Sequence, residues 1–281
     1  MRLIQKPAEM QAYVKELKRQ GKTVGLVPTM GFLHEGHISL VRIARTLCDT
    51  VFVSIFVNPI QFGVNEDFDT YPRNLDGDMA LLQPEGVDVV FAPVAPDMYP
   101  SRYGTFVDTS GLDDRLCGKS RPGHFRGVTT VVSKLFLICQ PDVAVFGQKD
   151  AQQVMIIEKM SRELNFPVQI VRGPIVREAD GLAMSSRNVY LSSEDRQRAT
   201  VLSRSLRQAQ ERISTGERNP GAIRGMISET IAGTPGARID YVEVLSGEDL
   251  RDLETLQGKV LIALAVKFGE TRLIDNLLLE V

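Results

Sequence analysis

Two histidines three residues apart carry the clearest chemical signal in the sequence. His34 and His37 lie in the segment 28–37, between a predicted strand and a predicted helix, together with Gly31 and Gly36. Open α/β sheets bind ligands beyond the carboxyl ends of their strands, where amides at a helix start attract phosphate and glycines allow close backbone approach. Two imidazoles can donate to phosphate oxygens, and the charge of a diphosphate would favour their protonation. The segment therefore predicts a phosphate-binding turn.

Two other interpretations of this turn stay open. The histidines can cap the helix or fill space in an ordinary strand-to-helix turn. They can also form a zinc pair, but zinc usually takes at least three protein ligands and the chain has only one further histidine, His124.

Polar side chains also follow two other predicted strands. Asn58 and Gln61 carry amides that can bind hydroxyls and a carboxylate, although an amide beside a proline is also typical of a plain turn. Lys149 can place its charge on a triphosphate, and Gln153 lies one helical turn later on the same face. The alternative for Lys149 is a solvated surface lysine.

A fourth cluster, residues 184–187, contains two hydroxyls and a guanidinium that can wrap a diphosphate. Its alternative is a linker approaching the helix cap at Ser192. The basic segment 121–127 can frame an anionic substrate, but its composition favours a surface turn. Asp76 and Asp78 are candidates for an outer contact to magnesium, and no residue is assigned as a metal ligand.

The elements that must position these residues alternate between helix and strand. Helices are predicted at residues 8–19, 37–47, 75–83, 128–138 and 152–164, and strands at 23–27, 50–57, 87–91, 142–146 and 168–171. Such alternation predicts an α/β fold with a doubly wound parallel sheet. Residues 95–125 are expected to form an ordered excursion over the ligand site or an edge hairpin.

The pattern changes after about residue 176. Helices are predicted at 192–214 and 220–232, followed by strands at 239–245, 260–266 and 272–279. We therefore expect two domains, residues 1–176 and a smaller α+β domain of residues 177–281.

Composition excludes several classes of function. The 33 basic and 35 acidic residues are intermixed and give a net charge of -2, so no basic surface for nucleic acid or membrane is expected. The opening residues lack the apolar core of a signal peptide and no stretch approaches the ~18 apolar residues of a membrane span, so neither export nor membrane insertion is expected. Three widely spaced cysteines favour a reducing cytoplasm over a disulfide framework.

Several sequence blocks resemble a known family. The residues His-Glu-Gly-His at 34–37 resemble the His-x-Gly-His signature with which nucleotidyltransferases, including class I aminoacyl-tRNA synthetases, hold ATP phosphates. Longer blocks resemble the pantothenate synthetase family in particular, in the family's order, at residues 28–37, 54–62, 69–73, 146–153, 177–188 and 271–276. The resemblance spans nearly the whole chain.

This resemblance implies a Rossmann-like nucleotidyltransferase domain and a reaction that joins pantoate to β-alanine through a pantoyl adenylate, releasing AMP and diphosphate. It implies ATP as co-substrate, Mg2+ and a homodimer. The implied catalytic residues are His34, His37, Lys149, Ser185, Ser186 and Arg187. The implied nucleotide contacts are Met30, Gly31, His34, Gly36, His37, Gly147, Lys149, Asp150, Val176, Met184, Ser185, Ser186 and Arg187. The implied substrate contacts are Met30, Asn58, Gln61 and Gln153.

Two other functions compete with this one. An adenylyltransferase that releases its adenylated product would share the histidine turn, and a regulatory module would bind ATP without turnover. A synthetase that binds transfer RNA is disfavoured by the chain length and the absence of a basic surface. If the implied function holds, we expect the smaller domain to act as a lid that brings residues 184–187 to the phosphates and excludes water.

Overall fold

Parallel strands make the sheet of the first unit in a computed structural model that describes residues 1–64 and 66–281. This unit comprises residues 1–113, 121–148 and 152–174. Its strands are β1 (Arg2–Ile4), β2 (Val24–Thr29), β3 (Thr50–Ile55), β4 (Val89–Phe91), β5 (Val143–Gly147) and β6 (Gln169–Gly173). The sheet order is β1-β4-β3-β2-β5-β6. Strands β3 and β4 are added on one side of β2, and strands β5 and β6 are added on its other side. The doubly wound α/β fold is thereby confirmed.

The described residues contain ten α-helices. They are α1 (Pro7–Arg19), α2 (Glu35–Leu47), α3 (Leu75–Leu82), α4 (Ala95–Met98), α5 (Leu116–Ser120), α6 (His124–Cys139), α7 (Ala151–Glu163), α8 (Ser193–Arg198), α9 (Val201–Ser214) and α10 (Pro220–Ala232). In the part of the chain that the structure describes, no helix is long and apolar enough to cross a membrane.

Hydrophobic strands and one face of α2 build the core of the first unit. Val27, Val53 and Val145 are fully buried there, with Val41 and Ala44 of α2 packed against them. Strand β2 runs through Pro28, where the sequence predicted its end; beyond Leu26 it pairs with β3 alone, so the missing proline amide interrupts no second ladder. Burial on both faces explains the near-continuous apolar runs of these strands.

The region 95–125 departs most from expectation. It contains the short helices α4 and α5, and no strand among its described residues, so of the two predicted alternatives the edge hairpin is wrong. Helix α6 begins at His124, four residues before the predicted start, after Gly123 at φ 82°. The edge strand β1 was not predicted, because three residues are too few for a period to show.

The second unit comprises residues 114–120, 149–151 and 175–281. An antiparallel sheet of β7 (Ala237–Ser246), β8 (Lys259–Phe268) and β9 (Thr271–Glu280) packs with α9 and α10 around a core that includes Leu206, Ile227 and Ile262. This is the small α+β fold that the sequence predicted. The domain boundary at 176/177 stays a prediction, since residues 114–120 and 149–151 also group with this unit.

The helix predicted over residues 192–214 is divided in two. Ser192 caps its start as expected, with Oγ accepting from the Asp195 amide at 3.1 Å. Helix α8 ends at Arg198, and α9 begins at Val201. At the break, the Thr200 hydroxyl donates to the Gln197 carbonyl at 2.7 Å, a local bond that competes with the helical ladder.

Candidate active site

The histidine turn caps helix α2 with its own side chains. His34 is the N-cap residue, and its Nδ1 accepts from the Gly36 amide at 3.2 Å. In return, Nδ1 of His37 accepts from the His34 amide at 3.3 Å. The two rings lie 4.1 Å apart between centroids. The capping interpretation therefore describes the geometry of the turn. It is compatible with phosphate binding by Nε2 of each ring, the nitrogen that the caps do not use.

The capping bonds fix the tautomers of both rings. A nitrogen that accepts from an amide carries no proton, so in each neutral imidazole the proton lies on Nε2. Both Nε2–H groups are then donors beside the positive end of α2, as an anion requires. Protonation of Nδ1 would break the caps, which opposes the doubly protonated state that a bound diphosphate was expected to favour.

Asp78 of α3 anchors the loop that leads into the turn. Its carboxylate accepts from the amides of Phe32 at 2.9 Å and Leu33 at 2.7 Å, and the residue is 2% exposed. Burial raises the pKa of Asp78, while the two amide bonds oppose that shift. Gly31 is required here, because a Cβ would lie 2.9 Å from both Asp78 Oδ2 and Ile55 Cγ2. Asp78 therefore points inward and serves the loop.

The amides predicted after β3 are brought to the end of β2. Nε2 of Gln61 lies 3.3 Å from Sδ of Met30, and Oε1 of Gln61 accepts from Asn58 Nδ2 at 3.0 Å. Asn58 Nδ2 also donates to the Gly127 carbonyl at 3.1 Å, and its Oδ1 accepts from the Tyr99 hydroxyl at 2.7 Å. Asn58 is 1% exposed, so its amide orients Gln61; direct contact with substrate stays a prediction.

The segment 121–127 was expected to be a surface turn, which holds for the exposed turn at Pro122 and Gly123 but is wrong from His124 onward. His124 and Phe125 are buried, at 9% and 4% exposure, because they form the first turn of α6 facing the core. Arg126 remains outside, with its guanidinium 4.0 Å from the centre of the Phe106 ring. Helix periodicity beginning at His124 was the signal available in the sequence.

Lys149 lies in a single 3-10 turn, Gln148–Asp150, that follows β5. Its backbone is fixed within the second unit, where Asn276 Nδ2 donates to the Lys149 carbonyl at 2.9 Å. The side chains of Lys149 and Asp150 are partly exposed, as are Gly147 at the end of β5 and Gln153 on α7. The structure thus holds the lysine backbone and leaves its side chain accessible.

The serine loop, residues 183–188, is held by its own backbone. Ser185 caps the 3-10 turn Ser186–Tyr190, its Oγ accepting from the Arg187 amide at 3.3 Å. The Met184 amide donates to the Val176 carbonyl at 3.0 Å, which closes the base of the loop. Ser186 is buried at 7% exposure, whereas Ser185 and Arg187 are partly exposed.

A part-buried ion pair links strand β9 to Arg177, which forms a β-bridge with Ala183 at the start of this loop. Arg177 donates to both oxygens of Asp275, at 2.6 and 3.0 Å, and the Asp275 side chain is 1% exposed. Because Asp275 adjoins Asn276, consecutive residues of β9 hold the serine loop and the Lys149 backbone. Sequence reasoning noted residues 271–276 as a matching block but missed this role. The polar pair Asp275 and Asn276, between apolar residues on both sides within β9, was the available signal.

The chain is similar to known proteins over its whole length. One family model, described as pantoate-beta-alanine ligase, matches residues 2–278. The chain is 61% identical over 282 residues to a pantothenate synthetase of Syntrophomonas wolfei subsp. wolfei, with both chains covered completely. It is 59% identical over 281 residues to a pantothenate synthetase of Heliobacterium modesticaldum, again with full coverage of both.

Solved structures are similar over nearly the whole chain. A pantothenate synthetase of Thermus thermophilus superposes with a TM-score of 0.94 at 45% identity and covers 99% of each chain. A pantoate-beta-alanine ligase of Francisella tularensis, complexed with beta-gamma ATP and beta-alanine, gives a TM-score of 0.82 at 36% identity. That alignment covers 99% of this chain and 97% of the other.

Proposed function

The chain belongs to the pantoate-β-alanine ligase family, and from this premise we propose how its own residues perform the reaction. The enzyme condenses pantoate with β-alanine to pantothenate in an ATP-dependent reaction. The observation that carries this conclusion is the family match over residues 2–278, together with 61% identity to a pantothenate synthetase over the full chain. A relative of known structure is described with an ATP compound and β-alanine bound, which supports both as ligands here.

The first chemical step in our proposal forms an acyl adenylate. A carboxylate oxygen of pantoate attacks the α-phosphorus of ATP, and the bond from that phosphorus to the diphosphate breaks. The diphosphate leaves with the electron pair. The Nε2–H donors of His34 and His37 suit the growing charge because the capping bonds hold them in place before the reaction. Lys149, Ser185, Ser186 and Arg187 supply further donors in the proposal.

The second step transfers the acyl group. The amine of β-alanine attacks the acyl carbon, the carbon–oxygen bond to AMP breaks, AMP leaves with the electron pair, and the nitrogen loses a proton to solvent. Because AMP is a good leaving group, the protein needs no covalent nucleophile, and positioning with electrostatic stabilisation suffices. Gln61, Gln153 and Met30 are proposed to bind pantoate, with Asn58 orienting Gln61.

Magnesium enters the proposal with the nucleotide. The described residues contain no group of three or more His, Cys, Asp or Glu side chains suited to hold a metal. Asp78, once a candidate, directs its carboxylate at two backbone amides. Mg2+ is typically bound through substrate phosphates and few protein groups. We therefore assign it no protein ligand; when bound, it neutralises phosphate charge.

Cellular location and assembly remain proposals. The three cysteines are free, with Cys48 and Cys139 buried, which suits the reducing cytoplasm. A homodimer is proposed from the family resemblance, and multi-angle light scattering of the purified protein tests it directly. A mass of one chain, 31.2 kDa, at micromolar concentration would contradict the dimer.

The function is tested by supplying ATP, Mg2+, pantoate and β-alanine to the purified enzyme. We expect pantothenate and AMP to form in equal amounts, and neither to form when any one of the three substrates is left out. An adenylyltransferase would instead release pantoyl adenylate without β-alanine, and a regulatory module would release no AMP. Either result would replace the ligase assignment.

A further inference from the structure

The third histidine, His124, has no part in the mechanism above, yet it is buried and connected to it. At the first position of α6, its Nδ1 lies 2.9 Å from the carbonyl oxygen of Gln61 and its Nε2 lies 3.0 Å from Nη1 of Arg121. Both bonds lie within the first unit. The His124 ring therefore links the guanidinium of Arg121 to the main chain of Gln61, the residue proposed to bind pantoate.

The two partners determine the tautomer of His124. A guanidinium only donates, so Nε2 accepts and carries no proton. A carbonyl only accepts, so Nδ1 carries the proton and donates to Gln61. The positive charge of Arg121 opposes protonation of Nε2, whereas the carboxylate of Glu66, which also interacts with His124, favours it. The neutral His124 ring thus carries its proton on Nδ1, opposite to the assignment for His34 and His37.

Arg121 is itself held in place. Its Nε and Nη2 donate to the two carboxylate oxygens of Glu66, both at 2.6 Å, and the two side chains are 17% and 24% exposed. Burial raises the pKa of Glu66, but the hydrogen bonds and charge of Arg121 outweigh it and lower the pKa to about 2. Glu66 therefore stays ionised at neutral pH, and a chain of fixed groups runs from Glu66 through Arg121 and His124 to Gln61.

Helix α6 also packs directly on the Gln61 turn. A Cβ at Gly127 would lie 2.5 Å from the Ile60 carbonyl oxygen and 2.6 Å from the Gln61 Cα, so only glycine allows this approach. The Gly127 carbonyl accepts from Asn58, which in turn holds the Gln61 side chain. One helical turn thus holds the main chain of Gln61 through His124 and its side chain through Asn58.

We propose that His124 is a positioning residue for pantoate binding, fixing the main chain of Gln61 so that its amide meets the substrate. The inference rests on the proposed role of Gln61 in pantoate binding. His124 acts through Gln61 and touches neither substrate nor nucleotide. It is expected to set the affinity for pantoate and to leave the affinity for ATP unchanged.

Two substitutions separate the contacts of the ring. In His124→Asn, the amide nitrogen can occupy the place of Nδ1 and keep the bond to Gln61 while losing Arg121. In His124→Gln, the amide reaches the place of Nε2 and keeps Arg121 while losing Gln61. Because a lost hydrogen bond of this kind is worth up to about tenfold in an equilibrium, His124→Gln should raise the KM for pantoate by about tenfold. His124→Asn should stay within about threefold of wild type on the same scale.

Wild-type enzyme is assayed first, so that absence of pantothenate formation reports on the proposed function and not on His124. Thermal melting of both variants measures folding. The positioning role would be overturned if both variants raised the KM for pantoate equally, or if His124→Gln left the KM for pantoate unchanged. A change in the KM for ATP in either variant would also overturn it.

A measurement on the unaltered protein keeps the inference testable if the variants do not fold. Nitrogen-15 NMR of the imidazoles at neutral pH should show one ring protonated on Nδ1 and two protonated on Nε2. Three rings of the same tautomer would overturn the proposed bond from His124 Nδ1 to the Gln61 carbonyl.

Discussion

At the scale of single residues, hydrogen-bond partners decide which nitrogen of each histidine carries the proton. His34 and His37 use Nδ1 to cap a helix, so each neutral ring carries its proton on Nε2. His124 does the reverse, because Arg121 faces its Nε2. The sequence predicted the first pair from its place after a strand. It did not predict the tautomers, since these depend on amides and on a guanidinium whose positions only the fold supplies.

The Nε2–H donor of His37 can be tested by substitution. His37→Ala should slow adenylate formation by about a hundredfold or more, since loss of one preorganised donor costs about 2.7–4 kcal/mol. His37→Gln can keep a donor near the place of Nε2, whereas His37→Asn cannot reach it, so Gln should retain more activity than Asn. Rates of diphosphate exchange measure this order.

The order expected at position 37 is opposite to that expected at position 124, where Asn should outperform Gln. Each pair is therefore a control for the other, because a general preference for one amide would give the same order at both. Near-normal exchange in a folded His37→Ala variant would remove the residue from the mechanism.

The ion pair of Glu66 predicts a pH dependence of stability. The pKa of Glu66 is lowered from its ordinary 4.5 to about 2, so the pair stabilises the fold above about pH 4.5 and its contribution is lost as the pH falls towards 2. Glu66→Gln lacks this contribution at every pH. The difference in Tm between wild type and variant should therefore shrink as the pH is lowered from 6 towards 3, and a constant difference would contradict this role of the pair.

At the scale of elements, the long periodic segments were predictable and the short ones were not. Helices α1 and α10 appear within one residue of their predicted bounds, because amphipathic spacing and the terminal signals agree. Strand β1 and helices α4 and α5 are too short to show a period. Helix α6 was begun late because the polar residues of its first turn masked two buried positions, His124 and Phe125.

The site was predictable to a similar extent. The motifs supplied the residues that we propose contact the ligands, such as the histidine turn and residues 184–187. The groups that hold them, Asp78, Tyr99 and Asp275, lie far away in sequence from the residues they bind, and their roles arise only from the packing. Single-sequence patterns report local periodicity and turn chemistry, so contacts between distant segments are beyond them.

The tether of the serine loop to β9 makes a prediction at this scale. Asp275→Asn leaves Arg177 with a neutral partner beside a side chain that is 1% exposed, so it should lower the free energy of unfolding by about 2–3 kcal/mol. This is below the about 3–5 kcal/mol of a fully buried pair because Arg177 is 28% exposed. Urea denaturation measures the change, and adenylate formation should fall with it.

Asp252→Asn is the matched control. Asp252 receives the same two-pronged contact from Arg115, at 2.9 and 3.0 Å, but its side chain is 79% exposed. An exposed pair is worth about 0–1 kcal/mol, so this variant should be nearly as stable as wild type. Equal losses in the two variants would show that burial of Asp275 does not matter.

At the scale of the whole molecule, Lys149 and the serine loop both belong to the second unit, where β9 contacts Lys149 and Arg177. We propose that this unit acts as a lid when ATP and pantoate bind, which would exclude water from a reactive adenylate. Hydrogen exchange tests the proposal. Amides of residues 183–188 should gain protection when ATP and pantoate are both present, while the core strand β8 should not change. Unchanged exchange in 183–188 under saturating ligand would contradict a lid.

The mechanism requires the enzyme to form a pantoyl adenylate before it uses the amine. Exchange of labelled diphosphate into ATP, with Mg2+ and pantoate present and β-alanine absent, measures this step by itself. We expect exchange that depends on pantoate, followed by pantothenate formation from the enzyme-bound adenylate when β-alanine is added without further ATP. An enzyme that makes pantothenate from all three substrates, yet shows no exchange with ATP and pantoate alone, would contradict a separate adenylation step.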